Sequence, residues 1–258
     1  MGNVVDMMIE GTTLSLWGFW GLCAVSFLGS FIAAALGLGG GVLVLATMAQ
    51  LLPPTVLVPI HGVVQLGSNL GRAILMVREA MLSIVPSFLV GTLIGAVLGA
   101  QIVVSLPTPL LQVVLAVFIL YATWAPKFRS RRPDQVKFLM VGVISTVVTM
   151  FVGATGALVA PFVAAACADR REMVSTHAVV MSIQHGLKVI AFGVVGFVFG
   201  PYIPLLGGLL LFGFVGTYVG GLVLNRLPEP VFRIGLRMIL TLLSLRLLYS
   251  ALARSIGL

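Results

Sequence analysis

Apolar runs broken by short polar or proline-containing stretches follow one another along almost the whole chain. The pattern predicts ten helical segments, at residues 14–36, 42–52, 55–78, 81–105, 108–125, 136–152, 157–168, 172–199, 202–225 and 229–252. Eight of them approach the roughly 20 residues that a helix needs to span a bilayer. The second and seventh, with 11 and 12 residues, are too short for a ~30 Å core. We expect each short segment to form a re-entrant or broken-helix hairpin with the segment before it.

The two halves of the chain repeat each other. A shift of 116 positions aligns them without gaps, and it places Gly37 on Gly153, Gly40 on Gly156, Val58 on Val174, His61 on His177, Arg72 on Lys188 and Ile74 on Ile190. After a five-residue insertion the shift becomes 121, which places Gly95 on Gly216 and Gly99 on Gly220. A register held this long indicates an internal duplication. We predict a first transmembrane repeat at 1–126, a linker at 127–137 and a second transmembrane repeat at 138–258.

The amino-acid composition also indicates a membrane protein. Hydrophobic residues make up 60% of the chain, charged residues only 9%, and the mean hydropathy is +1.18, whereas about a quarter of a soluble domain is charged. The net charge of +8 does not indicate nucleic acid, because the basic residues occupy short loops rather than one polar face. Cys23 and Cys167 lie in apolar stretches without metal-ligand spacing, so no metal and no cofactor is expected.

The basic loops predict the orientation. The linker carries Lys127, Arg129, Arg131, Arg132 and Lys137, so we place it in the cytoplasm. The loops with Arg78, with Arg170 and Arg171, and with Arg226 then fall on the same side, and both termini fall outside; Arg254 is the one misfit. An odd number of segments per repeat inverts the second repeat relative to the first. The predicted fold is an all-α polytopic membrane protein of two inverted five-segment repeats, with about eight full spans and two short half-helices.

The glycine runs are the first candidate site. They hold Gly37, Gly39, Gly40 and Gly41 in the first repeat, and Gly153, Thr155 and Gly156 in the second. Glycine lets the backbone approach a ligand, and the helix that starts just after each run presents N–H groups and a positive dipole end. Two such ends meeting near the midplane would hold an anion. The alternative is that these small residues only permit close helix packing, as we expect for Gly91, Gly95 and Gly99.

A polar stripe on the third segment of each repeat is the second candidate site. It comprises His61, Gln65, Ser68, Asn69 and Arg72, and His177, Gln184, His185 and Lys188. Steps of three and four residues put each set on one helix face, and the cost of polar groups in hydrocarbon directs that face toward the protein interior or a cavity. Alternatively, Arg72 reaches the cytoplasmic boundary with its side chain. The histidines fit either buried packing or a ligand or proton role.

All seven acidic residues lie at termini or loop edges, which disfavours a cation transporter. No Ser-His-Asp, metal or paired-carboxylate arrangement can be assembled, so we predict that the protein is not an enzyme.

A small anion and the lipid bilayer are the expected partners, with a homodimer as a candidate assembly. The inside-negative potential favours anion export. An anion channel is the alternative to a transporter.

The sequence resembles the TauE/SafE sulfite exporter family. The likeness rests on Phe27-Leu28-Gly29, the run from Gly37 to Val44, Ser68-Asn69-Leu70 with Arg72, and the repeated half from Gly153. The resemblance implies a membrane transporter that exports sulfite, sulfoacetate or a related organosulfonate. We therefore expect a multi-pass protein of the bacterial inner membrane that works by alternating access, with the anion bound between the glycine hairpins and near Arg72 and Lys188.

Overall fold

The computed structural model describes residues 14–36, 39–103, 108–124, 134–223 and 229–255. This part of the chain is helical, with no β-strand. Its ten α-helices are Leu16–Leu36 (α1), Gly40–Met48 (α2), Pro54–Met76 (α3), Val85–Val103 (α4), Thr108–Trp124 (α5), Gln135–Val152 (α6), Gly156–Ala166 (α7), Arg170–Val194 (α8), Ile203–Leu222 (α9) and Glu229–Ser255 (α10). Short 3₁₀ turns lie at Val77–Glu79, Leu82–Ile84 and Gly200–Tyr202. The predicted all-α fold with five helices in each half is confirmed within these residues, whereas most of the predicted linker lies outside them.

Local signals set several helix ends. The Asp134 carboxylate accepts from the Val136 N–H at 3.0 Å, and the Asp169 carboxylate accepts from the Glu172 N–H at 2.9 Å, so both residues act as N-caps. Helix α8 ends five residues before the predicted position 199. The reason is Gly196, which adopts a left-handed φ of 96° and allows the chain to turn away, as glycine commonly does after a helix.

In the described part of the chain, five helices are long and apolar enough to cross a membrane: Leu16–Ala35, Leu82–Ile102, Gln135–Val152, Arg170–Val194 and Gly200–Leu222. Many large apolar side chains on the outer faces are exposed, among them Trp17, Val97 and Leu211. Polar side chains such as Thr92, Thr146 and Lys188 are buried instead. This arrangement suits lipid as the surrounding solvent, since lipid tolerates an apolar surface but not isolated polar groups. The chain is a multi-pass membrane protein.

Helices of one repeat pack mainly against helices of the other. The principal pairs are α1 with α9, α4 with α6, α3 with α8, and α5 with α10. Under the repeat, α1 corresponds to α6 and α9 to α4, so the first two pairs are equivalent. The remaining two pairs each join a helix to its own counterpart. The helices that carry the polar stripes, α3 and α8, therefore contact each other in the interior.

Glycine makes the two equivalent pairs close. A Cβ on Gly95 of α4 would collide with the Val143 carbonyl of α6, and a Cβ on Gly216 of α9 would collide with the Phe27 carbonyl of α1. Gly95 corresponds to Gly216, and Val143 to Phe27, in the sequence repeat. The predicted close packing at Gly91, Gly95 and Gly99 is confirmed, since each approaches α6 too tightly for a larger residue. These contacts fix α1 beside α9 and α6 beside α4.

Candidate functional site

The chain bends at Gly39, directly before the short helix α2, and at Gly153, between α6 and the short helix α7. These two bends are called the glycine turns. Gly39, which precedes α2, has φ 96°, and Gly153, which follows α6, has φ 89°. Both values lie in the left-handed region that strains residues with a side chain. The predicted site residue Gly37 lies outside the described residues. Gly39 and Gly153 therefore occupy backbone conformations that glycine adopts without strain, next to the starts of the two short helices.

The short helices begin against the helices with the polar stripes. A Cβ on Gly41 would lie 2.8 Å from Gln65 Oε1 of α3, and a Cβ on Gly156 would lie 3.3 Å from His177 Cε1 of α8. A Cβ on Gly40 would collide with the Gly29 carbonyl of α1. Glycine at positions 41 and 156 allows the start of each short helix to touch a polar side chain, and Gly40 allows α2 to begin against the backbone of α1. Packing and access to the site thus depend on the same residues.

The polar stripes are buried at the contact between α3 and α8. A Cβ on Gly62 of α3 would lie only 2.7 Å from Lys188 Cε of α8, so this glycine makes room for the lysine side chain. The exposed fraction is below a tenth for every predicted stripe residue, namely His61, Gln65, Ser68, Asn69, Arg72, His177, Gln184, His185 and Lys188. Arg72, at 4%, therefore lies inside the protein and does not extend to the boundary.

A cavity of about 40 Å³ lies between the two turns and the two stripe helices. Its lining combines the starts of α2 and α7 with side chains of α3 and α8: Ala33, Gly39, Gly41, Val42, Gln65, Asn69, Arg72, Ala154, Gly156, Ala157, His177, Met181 and His185. No carboxylate lines it, within the described part of the chain. The predicted residues Gly39, Gly41, Gln65, Asn69, Arg72, Gly156, His177 and His185 are brought together here.

Three buried nitrogens of the lining have no hydrogen-bond partner among the described residues. They are Arg72 Nε, His177 Nδ1 and His185 Nδ1. The other side of the Arg72 guanidinium is held, because it donates to the Ala33 carbonyl at 2.8 Å and to Asn69 Oδ1 at 2.6 Å. Native proteins satisfy nearly all buried polar groups, so an unpaired group calls for an explanation such as a bound ion or water. Three nitrogens that can carry protons beside one cavity suit a ligand with several acceptor oxygens.

Lys188 lies outside this cavity lining. Its ammonium donates to the Gly153 carbonyl at 2.9 Å, and Thr149 Oγ1 donates to the same oxygen at 3.1 Å. His61 joins the group, with Nδ1 at 3.2 Å from the Gly153 oxygen and Nε2 at 3.0 Å from the Gly41 carbonyl. The predicted residues His61, Gly153 and Lys188 therefore form a second polar cluster, which connects the turn after α6 to the start of α2.

Gln184 and Thr155 lie in a different network. The Gln184 amide donates to Ser145 Oγ at 3.0 Å and to Thr146 Oγ1 at 3.2 Å, and Thr155 Oγ1 donates to the Gln184 amide oxygen at 3.2 Å. These bonds join α6, α7 and α8 away from the cavity lining. Their geometry fits a role in holding the second hairpin.

Ser68 also lies outside the cavity lining. Its hydroxyl is 3.5 Å from Thr217 Oγ1 of α9. Gly40, likewise absent from the lining, is enclosed between α1 and α2. Sequence periodicity placed Ser68 on the same face as Asn69 and Arg72, but that face is wide enough to contact both α8 and α9.

Five lining residues were not among the predicted site residues: Ala33, Val42, Ala154, Ala157 and Met181. Apolar side chains carry little chemical signal. The repeat could have indicated two of them, because the shift of 116 places Gln65 on Met181 and Gly41 on Ala157. The cavity is thus built from equivalent positions of both repeats, but its amide groups come from the first.

The family model described as sulfite exporter TauE/SafE matches residues 22–247, which is most of the chain. The chain belongs to the TauE/SafE family. No curated protein and no solved structure matches it. As a TauE/SafE protein it is a membrane transporter of the sulfite exporter class, and the match includes every residue of the cavity and of the Lys188 cluster.

The TauE/SafE assignment agrees with the chemistry of the described site. Among the described residues, no group of three or more His, Cys, Asp or Glu could hold a metal ion. The cavity offers a guanidinium, two imidazoles and two amides. Such groups bind and release an oxyanion by hydrogen bonding and charge.

Proposed function

We propose that the protein exports sulfite, or a closely related sulfur oxyanion, and binds it in the cavity between the two glycine turns. The observation that carries this proposal is that Arg72, His177 and His185 line that cavity, and that Arg72 Nε, His177 Nδ1 and His185 Nδ1 have no hydrogen-bond partner among the described residues. An oxyanion would accept from Arg72 Nε and His185 Nδ1, and from His177 Nδ1 when that ring is protonated on both nitrogens, because His177 Nε2 contacts the Gly156 carbonyl at 3.0 Å. Hydrogen bonds to an ionised group are about twice as strong as neutral ones.

The helix ends add to the positive potential. Gly41 at the start of α2, and Gly156 and Ala157 at the start of α7, line the same cavity. The first N–H groups of an α-helix have no partner within the helix, and the aligned peptide dipoles favour an anion there. Two helix starts and one guanidinium therefore act on one small volume, with no carboxylate in its described lining to oppose them.

Cavity size favours the smallest substrate of the class. A water molecule needs roughly 10–15 Å³ of such space, so about 40 Å³ holds only a few heavy atoms. Sulfite has four heavy atoms. Sulfoacetate and other organosulfonates are larger and would require the cavity to open further. We therefore place sulfite ahead of the organosulfonates.

Alternating access between two inverted repeats is the proposed mechanism. Equivalent helix pairs, α1 with α9 and α6 with α4, surround a site at the contact of α3 with α8, as expected for inverted-repeat transporters. The loops that were predicted to be cytoplasmic support the topology. Arg171 forms a 3.1 Å ion pair with Glu79, and Ser175 Oγ donates to the Met76 carbonyl at 2.6 Å, so the end of α3 and the start of α8 lie together.

Export follows from charge. An inside-negative potential drives an anion outward by about 2.3 kcal/mol per charge per 100 mV. We infer that the protein lies in the bacterial inner membrane with both termini outside, so that the basic loops face the cytoplasm.

Efflux from proteoliposomes tests the function. Vesicles loaded with sulfite would be studied with and without a potassium diffusion potential, in parallel with sulfoacetate and with protein-free vesicles. We expect saturable sulfite efflux that the potential accelerates. Counterflow, in which unlabelled sulfite loaded inside the vesicles drives uptake of external labelled sulfite, separates a transporter from a channel, since a channel shows no counterflow. Efflux no faster than from protein-free vesicles would contradict the proposal.

A further inference from the structure

The repeat relates two polar clusters of the site to each other. A shift of 116 positions places His61 on His177 and Arg72 on Lys188. In the first cluster, Arg72 and His177 line the cavity together. In the second, Lys188 and His61 contact the same Gly153 oxygen. Each cluster therefore combines a histidine from one repeat with a cation from the other.

The two clusters differ in what their nitrogens contact. In the Arg72 cluster, Arg72 Nε and His177 Nδ1 have no partner in the described part of the chain. In the Lys188 cluster, Lys188 Nζ and both nitrogens of His61 contact backbone carbonyls. Backbone carbonyls also contact the first cluster, at Arg72 (Ala33, 2.8 Å) and at His177 Nε2 (Gly156, 3.0 Å). The clusters therefore differ at one pair of equivalent atoms: His61 Nδ1 lies 3.2 Å from the Gly153 oxygen, whereas His177 Nδ1 has no partner among the described residues.

The Gly153 carbonyl occupies the place where an anion oxygen would be expected. It accepts from Lys188 at 2.9 Å and from Thr149 at 3.1 Å, and it lies 3.2 Å from His61 Nδ1. A neutral carbonyl compensates a buried ammonium only partly, and charges inside membrane proteins are costly unless they are paired. An oxyanion would be a stronger acceptor for the same donors.

We propose that the Lys188 cluster is a second binding station for the transported anion, which the Gly153 carbonyl closes in this conformation. The proposal rests on the proposed function and adds a second site to it. Movement of the turn after α6 would withdraw that carbonyl and let the anion bind to Lys188 and His61. The two stations then exchange roles during the cycle, as expected if two inverted repeats interchange their conformations.

His185 provides the link between the stations. Its ring lies 6.3 Å from the ring of His61, and it lines the cavity together with Arg72 and His177. Its Nδ1 has no partner among the described residues. An anion that leaves the Arg72 cluster for the Lys188 cluster would therefore pass a donor that lies beside both. Gly62, which leaves room for Lys188 Cε, gives the lysine side chain space to turn.

Transport measured separately from each face of the membrane tests the second station. Sulfite uptake would be measured in right-side-out and inside-out membrane vesicles for the wild type, Arg72→Gln, Lys188→Gln and the control Arg237→Gln. Arg237 is exposed on α10 and packs over Trp124, so its loss removes a helical cation outside both clusters. We expect Arg72→Gln to raise the KM for sulfite about 10-fold or more at one membrane face, and Lys188→Gln to do so at the opposite face.

Two further variants keep the test decisive. If Lys188→Gln fails to insert, Lys188→Arg should retain a nearly normal KM at both faces, and His61→Asn should raise the KM at the Lys188 face alone. A KM within about twofold of wild type at both faces for Lys188→Gln, or for His61→Asn where it is used, would overturn the second station. A wild type that transports no sulfite would instead overturn the proposed function on which the station rests.

Discussion

Lys188 donates a 2.9 Å hydrogen bond to the carbonyl of Gly153, which joins the deepest cation of the second repeat to the end of α6. The glycine has a left-handed φ of 89°, so the turn presents its carbonyl to the interior. The C-terminal end of a helix carries partial negative charge and favours a nearby cation. The bond therefore has a structural explanation as well as the functional one proposed above, and stability measurements can separate the two.

Lys188→Met should leave the protein as stable as the wild type, or more stable, while transport is lost. The Gly153 oxygen would keep Thr149 and His61 as partners, and replacing a buried charge by an apolar side chain of similar size is often neutral or stabilising. Thermal unfolding of the detergent-solubilised protein, together with efflux assays, checks this. A large fall in the unfolding temperature would identify Lys188 as a structural residue.

His185→Leu should raise the KM for sulfite about 10-fold or more, because the variant loses a buried donor to an ionised ligand. His185→Asn should lose less, since it places in the second repeat the residue found at the equivalent position, Asn69. Transport kinetics on both variants, with unfolding temperatures as the control for folding, provide the measurement. Equal KM values for the Leu variant and the wild type would exclude contact between His185 and the anion.

Gln184→Leu should destabilise the protein without changing the KM. The side chain bonds to Ser145, Thr146 and Thr155, and its loss leaves buried hydroxyls with fewer partners, at a cost of about 1–3 kcal/mol. Since Gln184 does not line the cavity, sulfite affinity should stay within about twofold. A raised KM with an unchanged unfolding temperature would instead show that Gln184 contributes to anion binding, as its position in the sequence predicted.

Gly40→Ala should disrupt the first hairpin. A Cβ at this position would collide with the Gly29 carbonyl, and forced overpacking costs about 1–3 kcal/mol or more. Gly21→Ala is the matched control, because it lies on α1 with no atom within 4 Å of its added Cβ. Size-exclusion profiles and unfolding temperatures should separate the two variants clearly. A Gly40→Ala protein as stable as Gly21→Ala would show that α1 and α2 do not pack against each other at this glycine.

The helices are well predicted by the sequence, because the signals that form them are local. Apolar runs, Asp134 and Asp169 as caps, and the glycine runs each act over a few residues. The repeat relates the two halves, which is why the sequence alone identifies His61 with His177, and Arg72 with Lys188, as equivalent pairs. Burial of the stripes follows from the cost of polar groups in lipid.

The tertiary partners of the polar side chains could not be predicted in this way. Ser68 and Asn69 are neighbours on one helix face, yet Ser68 contacts Thr217 and Asn69 contacts Arg72. The contact of Ser68 depends on how α9 packs beside α3, which no local pattern encodes, whereas Asn69 and Arg72 are three residues apart and meet within α3. For the same reason the sequence predicts Lys188 beside the anion with Arg72, whereas the structure places it on the Gly153 carbonyl.

Equilibrium binding of radiolabelled sulfite to the purified protein is the decisive test of the anion site, with Arg72→Gln and the exposed-cation control Arg237→Gln measured beside the wild type. We expect saturable binding to the wild type and to Arg237→Gln, and at least about 10-fold weaker binding to a folded Arg72→Gln, because the guanidinium is the cation of the cavity. Equal affinity for all three proteins would refute the claim that the anion binds between the two glycine turns.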